Sequence, residues 1–134
     1  VYAVDPAMFG AFSPASALDQ GQRLETAVFN ALRRRTPAVR VGSVCRLLIK
    51  EKSKSHEVDF VAGDALLMRA YSLIQVSVDM ASEKTREREI AALDASMAQF
   101  DLGESAIVTM DEQADIPCEH GAVHVVPAWK WLLA

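Results

Sequence analysis

Two short segments decide the fold of this chain: HEVDFV at residues 56–61 and LIQVSV at residues 73–78. In both, apolar residues alternate with polar ones, which predicts strands that have one apolar and one polar face. If these strands are neighbours in a sheet, Asp59, Gln75 and Ser77 come together on one polar face. A metal site carried by a hairpin is expected at such a position.

The alternation also assigns side chains within the first segment. Val58 and Phe60 are predicted to share the apolar face, and Glu57 and Asp59 the opposite one. An Asp between two large apolar residues goes against strand propensity, which favours a functional role for Asp59. Glu57 is expected to be a solvated strand residue.

Length and composition predict one globular domain. The chain has 134 residues, of which 51% are hydrophobic, so it can bury a core without disulfides or a structural metal. Its formal net charge of -4 argues against a generally basic nucleic-acid-binding protein. Basic residues nevertheless cluster between residues 23 and 54, and a local patch of this kind can bind phosphate.

Cysteine usage and the absence of targeting segments favour a cytoplasmic protein. Cys45 and Cys118 are far apart and form no CxxC motif, as is typical of a reducing compartment. The sequence contains neither a signal peptide nor an apolar run long enough to cross a membrane, so no membrane contact is expected. Because the chain starts at Val1 without an initiator Met, we expect it to be a fragment of a longer protein.

The first part of the chain is predicted to contain one strand and two helices. The strand covers residues 1–4, and Asp5 and Pro6 then begin a short helix that continues to Phe12. A second helix is expected to begin near residues 19–22. Its apolar residues recur at intervals of three and four, which indicates one buried face.

The middle of the chain is predicted to form a meander followed by a long helix. Three antiparallel strands are expected between residues 39 and 78, with a tight turn at Gly63 and Asp64. Ser82 is the predicted N-cap of the helix, and Gly103 is predicted to end it.

The last part of the chain is predicted to return to the sheet. The expected elements are a strand buried on both faces at residues 105–110, a polar loop at 111–121, a strand at 123–126 and a helical turn at 128–133. Trp129 and Trp131 are predicted to anchor this turn on the core, with Trp131 the better candidate for an exposed contact to another domain.

Five segments in this order resemble the uncharacterised C-terminal domain of prokaryotic AAA-type ATPases, which is similar to the PD-(D/E)xK nucleases. They are GQRLETAVF at residues 21–29, EVDFV at 57–61, LIQV at 73–76, TREREI at 85–90 and VPAWKWLL at 126–133. The resemblance covers essentially the whole chain. It implies a restriction-endonuclease-like α/β fold: a mixed sheet with a three-stranded antiparallel meander, a helical crossover and two further strands, flanked by helices.

The resemblance also implies a domain organisation. Residues 1–134 would be a single nuclease-like domain that follows an N-terminal P-loop ATPase domain, its expected partner. This sequence has no GxxxxGK[ST] motif, so ATP binding is assigned to the absent domain. No cofactor is expected to be required for folding.

The resemblance places a metal site on four positions. In active superfamily members, an acidic residue on the first helix, an Asp on the second strand and an E-x-K on the third bind Mg²⁺ and activate water. The matching residues here are Glu25, Asp59, Gln75 and Ser77. Gln75 keeps a carbonyl oxygen, whereas Ser77 lacks the charge of the lysine. Glu25, Asp59 and Gln75 are therefore the candidate catalytic and metal-binding residues of a vestigial site.

Three functions follow as alternatives. The leading one is a non-catalytic module that binds DNA or a protein partner and couples this binding to the ATPase. The second is a Mg²⁺-dependent endonuclease in which Arg23, Lys84 or Arg86 supplies the missing cation. The third is a structural oligomerisation domain.

Basic residues give two candidate nucleic-acid contacts. The first comprises Arg33, Arg34 and Arg35 in the last turn of the second helix, where cations also complement the helix dipole. The second comprises Lys50, Lys52 and Lys54, which are also typical of a solvated hairpin tip.

One further group invites a metal interpretation. Cys118, Glu119, His120 and His124 offer too few ligands at unsuitable spacing, so they are expected to be loop and strand residues.

Overall fold

The computed structural model describes residues 2, 4–8, 17–35, 44–50, 55–64, 66–67 and 69–134. Its helices and strands are, in chain order, α1 (Ala17–Arg35), β1 (Val44–Lys50), β2 (Ser55–Asp64), β3 (Arg69–Val76), α2 (Glu83–Phe100), β4 (Glu104–Thr109), β5 (Ala114–Pro117), β6 (Ala122–Pro127) and α3 (Ala128–Leu133). Helix α1 begins slightly earlier than the sequence predicts. The strand predicted at residues 1–4 and the helix predicted at 5–12 lie partly outside the described residues.

The strands form one mixed sheet in the order β1-β2-β3-β4-β6-β5. Strands β1, β2 and β3 are an antiparallel meander, as predicted. Helix α2 then crosses over to β4, which is parallel to β3 and to β6. The prediction of a loop throughout residues 111–121 is wrong, because Ala114–Pro117 pairs with β6 as an antiparallel edge strand.

Helices cover both faces of this sheet. On one face, α2 buries Leu93 and Met97 against Leu73 and its neighbours. On the other face, α1 buries Val28 against Ile74. None of the helices in the described part of the chain has the length and apolar character needed to cross a bilayer.

Strand β4 is buried on both faces, as its nearly unbroken apolar run predicts. Ile107 packs into the core on the α2 side, and Val108 packs into the core on the α1 side. Both side chains are fully buried. Burial of a side chain of this size contributes about 1.5–3 kcal/mol to the stability of the fold. Because β4 buries one such side chain in each core, it connects the two cores.

A β-bulge in β2 changes the faces of its side chains. The prediction that Val58 and Phe60 share a face is wrong: Val58 packs on the α2 side and Phe60 on the α1 side. The register between β1 and β2 shifts beside Arg46, which faces two residues of β2, Asp59 and Phe60, instead of one. The extra residue reverses the alternation at this point.

The hairpin between β2 and β3 turns later than predicted. Gly63 and Asp64 belong to β2, and the chain turns after them. The Asp64 carboxylate accepts hydrogen bonds from the backbone N–H groups of Leu66 and Leu67, at 3.0 and 3.2 Å. A short polar side chain thus supplies the turn's hydrogen bonds from the end of the strand.

Helix α2 starts as predicted but ends differently. The Ser82 hydroxyl accepts a hydrogen bond from the backbone N–H of Thr85, as expected of an N-cap. At the other end, Asp101 adopts the left-handed conformation with φ of 55° and donates its N–H to the Met97 carbonyl. Asp101 therefore ends the helix, and the prediction of Gly103 for this role is wrong.

The two tryptophans of α3 exchange their predicted roles. Trp129 is 63% exposed. Trp131 is half-buried against the core on the α1 side, and the Arg35 guanidinium lies 4.3 Å from its ring centre. Arg35 also donates a 2.6 Å hydrogen bond to the Trp131 carbonyl, so the contacts between Arg35 and Trp131 anchor α3 on the end of α1.

Candidate functional site

The residues predicted as a site line one cavity of about 450 Å³. Helix α1 contributes Glu25, the meander contributes Asp59 and Gln75, and α2 contributes Glu89. Both helices therefore face the strands across this cavity. The structure thus brings together Glu25, Asp59 and Gln75, the three residues on which the resemblance places the site.

Strands β2 and β3 exchange side-chain hydrogen bonds at the floor of the cavity. The backbone N–H of Asp59 donates to Gln75 Oε1 at 3.1 Å. In return, the backbone N–H of Val76 donates to Asp59 Oδ2 at 2.9 Å. Because these carbonyl and carboxylate oxygens satisfy the backbone of the opposite strand, Asp59 and Gln75 are fixed in position.

Arg46 of β1 joins the carboxylates at the cavity mouth. One of its terminal nitrogens lies 3.1 Å from Glu25 Oε1 and 3.6 Å from Asp59 Oδ1. The other lies 3.1 Å from Glu57 Oε1. A single guanidinium thus bridges three carboxylates from two elements. The bulge in β2 brings it there, since Arg46 stands opposite the extra residue.

Tyr2 contacts the same glutamate from the other side. Its hydroxyl donates a 2.6 Å hydrogen bond to Glu25 Oε1, the oxygen that also contacts Arg46. The Tyr2 ring stacks on Phe29 at 4.2 Å between centroids and packs against Phe60 at 5.8 Å. Burial and the bond to Glu25 raise the pKa of Tyr2 to about 12, so it is a neutral donor at physiological pH.

Helix α2 adds a charged pair that sequence reasoning missed. The Glu89 side chain is only 8% exposed, and Arg88 contacts it at 2.6 Å from a position that is 71% exposed. A signal for Glu89 was present: it lies four residues before the buried Leu93, on the inward face of the helix.

Acidic groups outnumber basic ones in the cavity. Four carboxylates (Glu25, Glu57, Asp59, Glu89) and two guanidinium groups (Arg46, Arg88) are among the described residues that line it. Its formal charge is therefore about two units negative when all these groups are ionised.

Burial sets the protonation of Asp59. Loss of solvent raises the pKa of its carboxyl from 3.8 to about 6, and the negative charges of Glu25 and Glu89 add to this. The Val76 N–H and Arg46 oppose the shift without cancelling it. At pH 7 Asp59 is thus ionised, and its ionisation lowers the stability of the folded protein.

The cations predicted to replace the missing lysine lie elsewhere. Arg23 lines a separate recess with Met110 and Ala128. Lys84 and Arg86 are on α2 and are not among the described residues that line the cavity. Of the cations in the described part of the chain, Arg46 and Arg88 line it instead.

Ser77 is engaged outside the carboxylate cluster. Its hydroxyl donates to the Asp79 carbonyl at 2.7 Å, and its backbone N–H donates to the Val108 carbonyl at 3.0 Å. At the position where the resemblance implies a lysine, Ser77 therefore forms hydrogen bonds just after the end of β3.

The predicted nucleic-acid contacts are placed only in part. Arg33 and Arg34 are exposed at the end of α1, whereas Arg35 is engaged with Trp131. Lys50 is the last residue of β1, and Lys52 and Lys54 lie outside the described residues.

A different acidic and histidine group lies near the β5–β6 turn. Asp94 of α2 accepts from the backbone N–H of His120 at 2.9 Å and contacts its ring Nδ1 at 3.1 Å, with Glu119 nearby. His124 instead pairs with Asp115 at 2.7 Å. The hydrogen bonds between Asp94 and His120 connect the β5–β6 turn to α2. This structural role explains why these residues lie close together.

Comparisons of the chain with protein-family models, with curated proteins and with solved structures give no match.

Proposed function

We propose that this chain is the nuclease-like domain of an AAA-type ATPase and that it binds DNA phosphate through Arg46 and Arg88 without cleaving the strand. A restriction-endonuclease-like fold belongs to the same proposal. It is supported by the order of the elements, with a helix before the meander and a helical crossover after it. The site motif on Glu25, Asp59 and Gln75 gives further support.

The triple contact of Arg46 is the observation that carries the non-catalytic assignment. Its guanidinium lies among Glu25, Glu57 and Asp59, where a divalent cation would have to bind. An arginine stays protonated in proteins and cannot act as a base toward water. Arg46 thus lies between these carboxylates and offsets part of their charge, and the position expected to hold lysine is Ser77.

The ligand class follows from the exposure of the charged groups. Arg46 and Arg88 are 53% and 71% exposed, whereas Glu25, Asp59 and Glu89 are 23%, 15% and 8% exposed; the fourth carboxylate, Glu57, is 53% exposed and is paired with Arg46. A phosphate that approaches from solvent meets the guanidinium groups before these three carboxylates. Guanidinium groups present several N–H donors in one plane, which suits phosphate oxygens.

Fluorescence anisotropy of a labelled DNA duplex tests this proposal. Wild-type protein should bind with an affinity that falls as salt rises, and Arg46→Met should bind more weakly. Its slope of log K against log salt should be smaller by about 1, as expected for one lost phosphate contact. Arg69→Met, at the far end of β3, removes the same charge outside the cavity and should bind like wild type. Failure of the wild type to bind at low salt would refute the proposal.

The charge imbalance favours a second candidate, a Mg²⁺-dependent endonuclease that uses Arg46 or Arg88 as its cation. Two excess negative charges in the cavity are what one divalent ion would balance. Incubation of supercoiled plasmid with Mg²⁺ or Mn²⁺ separates the candidates. Nicking by wild type that disappears in Asp59→Asn would establish the endonuclease, and intact plasmid would exclude it under those conditions.

A further inference from the structure

The strongest feature that this function leaves unused is the hydrogen bond from Tyr2 to the site. Tyr2 lies before α1, outside the sheet and the helices. Its side chain nevertheless contacts the carboxylates of the cavity, through Glu25. Its hydroxyl donates to Glu25 Oε1 at 2.6 Å. That oxygen is also 3.1 Å from Arg46, so one acceptor is shared between a neutral donor and a cation.

The ring of Tyr2 has its own packing, separate from this hydrogen bond. It stacks on Phe29 with an angle of 20° between the planes and contacts Phe60, the residue that the bulge places on the α1 side. The ring therefore fixes where the hydroxyl points. Removal of the hydroxyl alone leaves this aromatic packing in place.

Glu25 has few other constraints. Tyr2 and Arg46 are the partners of its carboxylate among the described residues, and its side chain is 23% exposed. Without the tyrosine hydroxyl, the ion pair with Arg46 would be the remaining contact of this carboxylate among the described residues. Arg46 would then lose the fixed orientation of one of its three carboxylate partners.

We propose that Tyr2 is a positioning residue, which holds Glu25 and through it presents the Arg46 guanidinium to phosphate. This inference rests on the proposed function. It makes phosphate recognition depend on Tyr2, which is not among the described residues that line the cavity. A displacement of Tyr2 would weaken binding without any change in the cavity's own residues.

DNA affinity of Tyr2→Phe tests the inference, with Tyr71→Phe as the matched control. Tyr71 is the only other tyrosine of the chain and lies on the part of β3 remote from the site. Tyr2→Phe should weaken binding about 3- to 10-fold, the range expected for the loss of one ordinary intramolecular hydrogen bond. Tyr71→Phe should bind like wild type.

A second background shows whether Tyr2 acts through Glu25. In Glu25→Ala, the additional change Tyr2→Phe should have no further effect on DNA affinity, because the group that Tyr2 positions is gone. Equal affinities of wild type and Tyr2→Phe would overturn the inference and leave the proposed function intact. An undiminished effect in the Glu25→Ala background would also overturn it.

Unfolding measurements keep the test independent of DNA. If wild type fails to bind DNA, the proposed function falls, and a double-mutant cycle in unfolding between Tyr2→Phe and Arg46→Met decides about positioning. A coupling between the two changes supports a Tyr2–Glu25–Arg46 connection. Additive effects overturn it.

Discussion

Replacement of Asp59 by asparagine should change how stability depends on pH. In the unfolded chain the Asp59 carboxyl ionises near pH 3.8, and in the folded protein its pKa is about 6. Well below pH 3.8 the group is neutral in both states and costs nothing. As the pH rises toward 6, the unfolded state loses this proton first, so the free energy of unfolding falls. Well above pH 6 the loss is complete.

The size of this effect follows from the shift. A difference of about two pKa units corresponds to about 3 kcal/mol at 25 °C. The introduced amide has the shape of the carboxylate and can accept the hydrogen bond from Val76, but it does not ionise. The unfolding free energy of Asp59→Asn minus that of wild type should therefore increase by most of this amount between about pH 4 and pH 7.

Urea unfolding at constant ionic strength, followed by circular dichroism from about pH 4 to pH 8, measures this difference. Subtraction of the two proteins at each pH removes the contribution of titrating groups that do not interact with Asp59. Asp111→Asn, on an exposed residue outside the cavity, is the matched control for the loss of one carboxylate. A flat or falling difference for Asp59→Asn would contradict the raised pKa of Asp59, because it would mean that burial does not dominate the environment of this carboxyl.

Three further changes test other parts of the structure. Ser82→Ala removes the N-cap of α2 and should lower the free energy of unfolding by about 1 kcal/mol, measured by urea unfolding. Gly121→Ala should cost about 1–3 kcal/mol in the same assay, because its Cβ would overlap the Gly103 carbonyl; an unchanged midpoint would contradict the close approach of these segments. Arg35→Ala should loosen α3, with a shift in tryptophan fluorescence and a loss of about 1 kcal/mol.

Local sequence patterns predicted the elements whose signals are local. The meander, the crossover helix with its Ser82 cap and the doubly buried β4 are all confirmed. Each depends on periodicity or on a capping residue within a single segment. The short strand β5 was not predicted, because an edge strand of four residues, Ala114–Pro117, has too little alternation to be distinguished from a polar loop.

The sequence predicted individual residues of the site but not the contacts among them. Asp59 stood out because aspartate is disfavoured within a strand. The role of Arg46 depends on the register between β1 and β2, and the bulge that sets this register has no signature in either strand alone. The same bulge explains why the alternation misassigned Phe60. Long-range pairing, rather than local propensity, decides which cation reaches the carboxylates.

DNA binding without cleavage is tested most directly by one binding titration in Mg²⁺, with an end-labelled duplex whose strand length is checked on a denaturing gel after binding. Wild type should bind the duplex, the strands should remain full length, and Arg46→Met should bind more weakly. Shortened strands, or equal binding by wild type and Arg46→Met, would contradict it.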